Sequence, residues 1–555
     1  MIRNDSETRL GFVLLVVLAL AILLPRGLAL NKFVTADEPK WLARSGNFYL
    51  ALSTGDLAGT FTREHPGVTV TWLGAIGLML RYPGYVQDAP GRLEDASEIE
   101  PVLREHGVQP IAVLQAGRFL VVLVITITLL LSFVEARRVI GLWPAFIGFM
   151  LLALDPFFAG LTRLLHLDGL VSSLMLLSIL SYMVYLFRGR KTADLLISGI
   201  AAGLAWLTKS PAFFLAPFLG LLALFDLVRT WTGKGWISWE DLWQESRPLL
   251  VWAGLGWLVF VILWPSMWVN PVTTLSRIFA EATTYAEEGH STDIFFNGSI
   301  IAGDPGKRFY PVVYLWRTSP VILAGLGLAG IWFILALRYK GEEVLRWVAV
   351  SLVAFAALFS IFMTLGSKKF DRYLLPVFPP LDLVSGIGWY AAGAWLGRLG
   401  RPGWSKFALP ALAILAIGWQ ALGTVRTYPY YLSYYDPLMG GSRKAPGVMM
   451  IGWGEGLDQA ARYLDDKPDA ESLRVMAWYP DGAFSYLFDG ETLGAEPEWE
   501  ETQPIFMESD YVVTYAHQWQ RNLPFPEMLA YLRTLEPEYV VILNGIEYAQ
   551  VYKMH

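Results

Sequence analysis

The chain has 555 residues, 54% of them hydrophobic and 17% charged. Soluble domains carry about 25% charged residues, so this deficit, with many apolar runs of about 20 residues, describes a polytopic α-helical membrane protein. The net charge of −6 gives no nucleic-acid signal, and the lack of cysteine excludes disulfides, thiolate metal sites and a cysteine nucleophile.

Met1–Arg9 is short and polar, and Leu10–Leu30 forms a first span with Pro25 near its far end. No small-residue cleavage pattern precedes Asn31, so the span is read as retained. A long first loop, 31–110, follows. Within it Val68–Leu80 is apolar but too short to cross, and is expected to be a helix lying in the interface or re-entering the membrane. Further spans are expected at about 111–134, 143–160, 168–187, 193–208, 212–228, 248–265, 312–336, 347–365, 373–395 and 407–424, about eleven in all.

Positive charge orients them. Arg137 and Arg138, then Arg188, Arg190 and Lys191, then Arg229, Lys234 and Arg247 fall in loops on one side. Arg338, Lys340 and Arg346, and finally Arg398, Arg401 and Lys406, continue the series. The positive-inside rule makes that side cytoplasmic, with the N-terminus, in a plasma-membrane protein. The opposite side then receives 31–110, the turn at 155–168, the turn at 208–211, loop 266–311, the turn at 366–372 and everything after 425.

The division is a transmembrane domain, 1–424, and a small extracytoplasmic α/β domain, 425–555. In the latter 454–466 and 526–535 read as helices, while 473–479 and 510–516 read as strands. Glu538–Lys553 reads as a hairpin around Asn544-Gly545.

The polar residues that the spans do not explain gather on the outer side. Asp37 and Glu38 form a carboxylate pair. One can act as general base, since crowding by a second acid raises a carboxyl pKa. Alternatively, Thr35 through Glu38 is a capping box that engages Glu38 and leaves Asp37 free. Glu64-His65-Pro66-Gly67 either brings His65 to a substrate or merely starts the next helix. Arg163, His166 and Asp168 lie at the ends of two spans, where polar groups are costly unless they pair or bind something. Arg163 and Asp168 can form an ion pair there. Lys209, in a short turn before Pro211, suits an anion or a lipid headgroup. Lys368, Lys369 and Arg372 stand before a span, and Arg372 is suited to grip a phosphate with both arms of its fork.

In this order the acid pair, the His-Pro element, Arg-x-x-His-x-Asp, Leu-Thr-Lys-x-Pro and Lys-x-x-x-Arg-Tyr-x-x-Pro resemble membrane glycosyltransferases of the C-type (GT-C) fold. The likeness is to bacterial phospholipid-carrier-dependent enzymes related to protein O-mannosyltransferases and the lipid A aminoarabinose transferase. It implies a polyprenyl-phosphate sugar donor, inversion at the anomeric carbon, and a protein, lipid or glycan acceptor at the membrane. Asp37 is then the base with Glu38 beside it, and His65, Arg163, His166, Asp168, Lys209, Lys368 and Arg372 surround the substrates. Loop 266–311 is too short for the trefoil domain of protein mannosyltransferases, which weighs against a protein acceptor. The acids can hold a divalent cation, though no ligand spacing demands one. The rival reading is a transporter or lipid flippase, which would place ionisable residues near mid-membrane.

Overall fold

A computed structural model describes residues 5–63, 65–234, 238–290, 292–337, 342–399 and 405–555. Glu64, Arg338, Lys340 and Arg401 lie outside the described residues. A helix stands at each expected span position: α1 (Asp5–Gly27), then, after α2 (Glu38–Thr54) and α3 (Val68–Arg81), α4 (Pro110–Ile140), α5 (Leu142–Ala153), α6 (Leu167–Phe187), α7 (Thr192–Thr208), α8 (Leu215–Lys234) and α9 (Trp239–Ile262). They continue with α10 (Phe309–Arg317), α11 (Pro320–Ala336), α12 (Glu343–Leu365), α13 (Phe378–Leu399) and α14 (Ser405–Thr427). Among the described residues seven helices are long and apolar enough to cross a membrane, or eight if α10 and α11 count as one broken span. The chain is a multi-span membrane protein.

Local chemistry sets the shapes that matter. Helix α6 is apolar on every side and almost wholly buried, packed on α4 and α7, as a central bundle helix must be. Pro320 cannot continue a helix from α10, so α10 and α11 meet at 108°, with Ser319 capping the second. Arg317, in the last turn of α10, is buried. The short apolar helix α3 rests on α4 through Gly77, where a Cβ would come within 2.7 Å of the Gly117 backbone nitrogen.

Beyond α14 the chain builds a five-stranded sheet from β3 (Arg474–Ala477), β4 (Glu491–Leu493), β5 (Tyr511–Tyr515), β6 (Tyr539–Leu543) and β7 (Ile546–Lys553), after a short hairpin, β1 (Ile294–Phe296) and β2 (Ser299–Ile301), in the loop before α10. The order is β4-β3-β5-β7-β6, with β3 parallel to both β4 and β5 and the remaining pairs antiparallel. Asn544 and Gly545 both have positive φ, as the tight β6–β7 turn requires. The sheet unit is bound to the first loop: Arg104 donates to the Ser485 carbonyl at 2.6 Å. Further along, Tyr430 donates to Asp458 at 2.8 Å.

Candidate active site

Asp37 and Glu38 are neighbours with opposite fates. Glu38 is fully buried, and both its oxygens are taken. Oε1 accepts from Arg118 Nε at 2.6 Å and from the Leu165 amide at 2.9 Å. Oε2 accepts from the Thr35 amide and hydroxyl, each at 3.0 Å, and from the second arm of Arg118. The reach-back half of the capping box is therefore real. Burial opposes the Glu38 charge, but Arg118 outweighs it and holds the carboxyl below its ordinary value. Glu38, expected beside the base, does not line the cavity, and its carboxylate is engaged by Arg118, Thr35 and the Leu165 amide.

Asp37 occupies the N-cap position of α2, but its side chain makes no capping hydrogen bond. It faces a cavity of about 380 Å³. Its Oδ2 accepts from Arg372 Nη2 at 3.1 Å and lies 3.6 Å from His166 Nε2, while Lys40 stands 3.9 Å from Oδ1. Burial works against its charge, yet His166 and Arg372 together hold the carboxyl well below its ordinary value.

Behind Asp37 runs a second tier. His166 Nδ1 is 3.2 Å from Asp168 Oδ2, and Lys209 Nζ donates to Asp168 Oδ1 at 2.6 Å. Arg372 Nε lies 3.6 Å from Asp168 Oδ2. Burial alone would lower the His166 pKa, but Asp168 and Asp37 raise it above 6.5. Lys209 is pushed the other way, down, by burial despite Asp168. The guanidinium of Arg372 stacks on three rings, with centroids of Phe370 at 4.2 Å, Trp453 at 4.4 Å and Tyr373 at 5.4 Å. These rings and the carboxylates of Asp37 and Asp168 hold its orientation.

The structure brings Asp37, His166, Asp168, Lys209 and Arg372 together. Arg163 is elsewhere: it donates to the carbonyls of Ala29 at 2.6 Å and Pro429 at 3.3 Å, and stacks on Tyr431. It ties the end of α1 to the segment after α14, and the expected ion pair with Asp168 does not form: the Arg163 guanidinium is spent on backbone carbonyls, and Asp168 pairs with Lys209 instead. His65 is half-buried, 3.5 Å from Ser210 Oγ, and burial with nearby Lys209 and Arg63 pushes its pKa down to about 3. Neither His65 nor Lys368 lines the cavity.

Arg317, which the sequence did not single out, lines the cavity and pairs with Asp371 at 2.7 Å, while Lys369, named beside Arg372 in the sequence, is buried and pairs with Asp304 at 2.5 Å. Trp453, Trp478, Tyr479 and Arg521 arrive from the C-terminal region. Gly454 permits this, since a Cβ there would fall 2.0 Å from the Val34 carbonyl. Arg118 also went unread; a cation in an apolar 31-residue helix gave no hint that it pairs with Glu38. Among the described residues no group of three His, Asp or Glu side chains is placed to hold a metal ion.

Residues 112–239 match the family model of dolichyl-phosphate-mannose-protein mannosyltransferase. The whole chain superposes on ArnT from Cupriavidus metallidurans bound to undecaprenyl phosphate, covering 99% of this chain and 98% of that one, with a TM-score of 0.50 at 14% identity. The apo form of that protein gives the same coverage and TM-score at 16% identity. The chain has the GT-C glycosyltransferase fold. The resemblance drawn from the sequence motifs is thereby borne out over nearly the full length. The archaeal oligosaccharyltransferase AglB from Archaeoglobus fulgidus superposes with a TM-score of 0.46 at 12% identity, over 100% of this chain and 75% of that one. No curated protein sequence matches. In this fold the Asp37–Arg372 pair stands at the cavity wall, which Trp453, Trp478, Tyr479 and Arg521 of the C-terminal region also line.

Proposed function

We propose that the chain is an inverting membrane glycosyltransferase that moves a sugar from a polyprenyl-phosphate donor to an acceptor hydroxyl. The observation that carries this reading is the carboxylate of Asp37, facing the cavity and held between His166 and Arg372. The acceptor O–H gives its proton to Asp37 as its oxygen bonds to the anomeric carbon. The bond from that carbon to the phosphate oxygen breaks, and the electron pair leaves with the lipid phosphate. Arg372 meets the growing negative charge, and being stacked on three rings it needs no reorganisation to do so. Lys209 acts through Asp168, which in turn positions His166 and Arg372.

A carboxyl held so far down is a weak base, because basicity falls with pKa. The cause is partly Arg372. A donor phosphate that engages Arg372 shares its charge and returns basicity to Asp37, so the base strengthens once the donor is bound. The reaction is placed on the extracytoplasmic side, by the positive-inside argument. Incubation of the purified chain with radiolabelled undecaprenyl-phosphate hexoses and pentoses tests the reading. Release of lipid phosphate that depends on Asp37 supports it, and full activity in Asp37→Asn sinks it.

A further inference from the structure

A second cavity, of about 580 Å³, adjoins the first. Ala36, Lys40, Thr292, Trp478, Tyr479 and Leu523 line both. The second cavity runs from this shared wall outward between the first loop and the C-terminal sheet. Its position follows from topology. Strand β3 lies between β4 and β5 and parallel to both, so the chain leaves β3 to one side and returns on the other. The carboxyl end of a strand at such a reversal leaves a crevice in which open α/β sheets bind ligands. Trp478 and Tyr479 directly follow β3 and stand at that crevice.

Tyr479 is a non-glycine residue in the left-handed region, φ 56° and ψ 57°. Such a backbone is strained and gathers at functional sites. Its ring packs on His517 at 5.3 Å and Tyr515 at 5.9 Å, so the strained position is held firmly.

The two cavities differ in charge. Lys40, Arg317, Lys369, Arg372 and Arg521 line the first, against Asp37, Asp371 and Glu455. The second has Asp95, Asp481 and Glu496 at its edge against Lys40 alone, with Trp478, Tyr479 and Phe525 as aromatic walls. Carboxylates accept hydrogen bonds from hydroxyl and ammonium groups, and aromatic faces cover the apolar side of a ring that is polar at its rim. Like charges facing each other across an interface reject the wrong partner.

Building on the glycosyl-transfer reading, we infer that this cleft is the acceptor's binding site and that it takes a neutral or amino-substituted glycan, not a phosphorylated or otherwise polyanionic acceptor. The basic cavity is left for the phosphate of the donor, and Tyr479 marks the threshold between the two substrates.

The full-length protein with a radiolabelled undecaprenyl-phosphate sugar that it turns over, and three acceptors, provides the test: maltotetraose, the tetramer of chitosan, and maltotetraose phosphorylated on a primary hydroxyl. The neutral and amino acceptors are expected to take label with a kcat/KM about tenfold or more above the phosphorylated one. Asp481→Lys combined with Glu496→Lys narrows or reverses that ratio, with donor KM held, since neither residue lines the donor cavity. Tyr479→Gly keeps the left-handed backbone available and removes the ring, with the unfolding temperature and donor KM measured alongside to separate loss of the threshold from loss of packing on His517 and Tyr515. It raises acceptor KM about tenfold if the ring supplies about 1.4 kcal/mol of contact. Lipid phosphate release combined with preference for the phosphorylated acceptor, or with an acceptor KM indifferent to these variants, overturns the cleft assignment alone. Failure to release lipid phosphate from any donor overturns glycosyl transfer itself and the cleft with it.

Discussion

Two sites one residue apart use the same chemical group in opposite ways. Around Glu38 every oxygen is satisfied, no solvent reaches the carboxylate, and Arg118 grips it with two nitrogens. Around Asp37 one oxygen bears the load of Arg372 and His166, the other has only a distant lysine, and the side chain remains 27% exposed to the cavity. A saturated buried carboxylate has nothing left to offer a substrate, and losing its partner strands a charge. An unsaturated one at a cavity wall can take a proton. The difference lies in hydrogen-bond capacity left over, not in the residue type.

The strongest way to break this comparison is Asp37→Asn. Transfer should fall about 10²–10⁴-fold, the usual worth of a general base, while the thermal unfolding temperature holds. Arg118→Leu should do the reverse. Stranding Glu38 in the interior costs about 3–5 kcal/mol, read as a lower unfolding temperature and poor yield, and Glu38→Gln combined with Arg118→Met should recover most of it. If instead Arg118→Leu folds normally and is only inactive, Glu38 belongs to the chemistry after all. Arg372→Ala should lower kcat about 10²–10³-fold, as loss of one preorganised donor to a developing charge does, with Asp37 still in place.

The pH profile sharpens the comparison further. Asp37 has a folded pKa below its ordinary 3.8, so its pairing stabilises the protein above that pH and the contribution is lost as pH falls through the folded value. His166 is raised above 6.5, so its contribution is complete below its ordinary pKa and lost as pH rises through the folded one. Activity should accordingly keep a flat acid side in kcat/KM for the donor, which reports the free enzyme. In kcat the acid limb should move upward, because the bound phosphate has drawn on Arg372. Coincident limbs would remove the proposed strengthening of the base. The smallest effect is expected at Arg163. Arg163→Met leaves backbone carbonyls unpaired at about 1–3 kcal/mol, visible in unfolding temperature, with donor KM unchanged.

Much of this was legible beforehand, for a physical reason. Bilayer thickness imposes long apolar runs, and each of the eleven expected spans corresponds to a helix or to the broken pair α10–α11. The hairpin at Asn544-Gly545 was equally plain because its turn requires positive φ twice. Sidedness then collected Asp37, His166, Asp168, Lys209 and Arg372 on one face, and these five do converge. The failures share a cause. Arg163 and Lys209 both looked like partners for Asp168, and spacing could not say which; a position in three dimensions gave it to Lys209. Arg118 was hidden inside a hydrophobic run.

By itself, then, the sequence determined the membrane helices, their grouping and the short list of polar residues at one end, because hydropathy and charge act locally along the chain. Only the tertiary structure decided which acid stays open and which is sealed. It did so because Arg118, the Leu165 amide, Arg372 and Trp453 come from four separate segments. Whether a carboxylate has capacity to spare depends on every group that packs around it, and no local stretch contains them all.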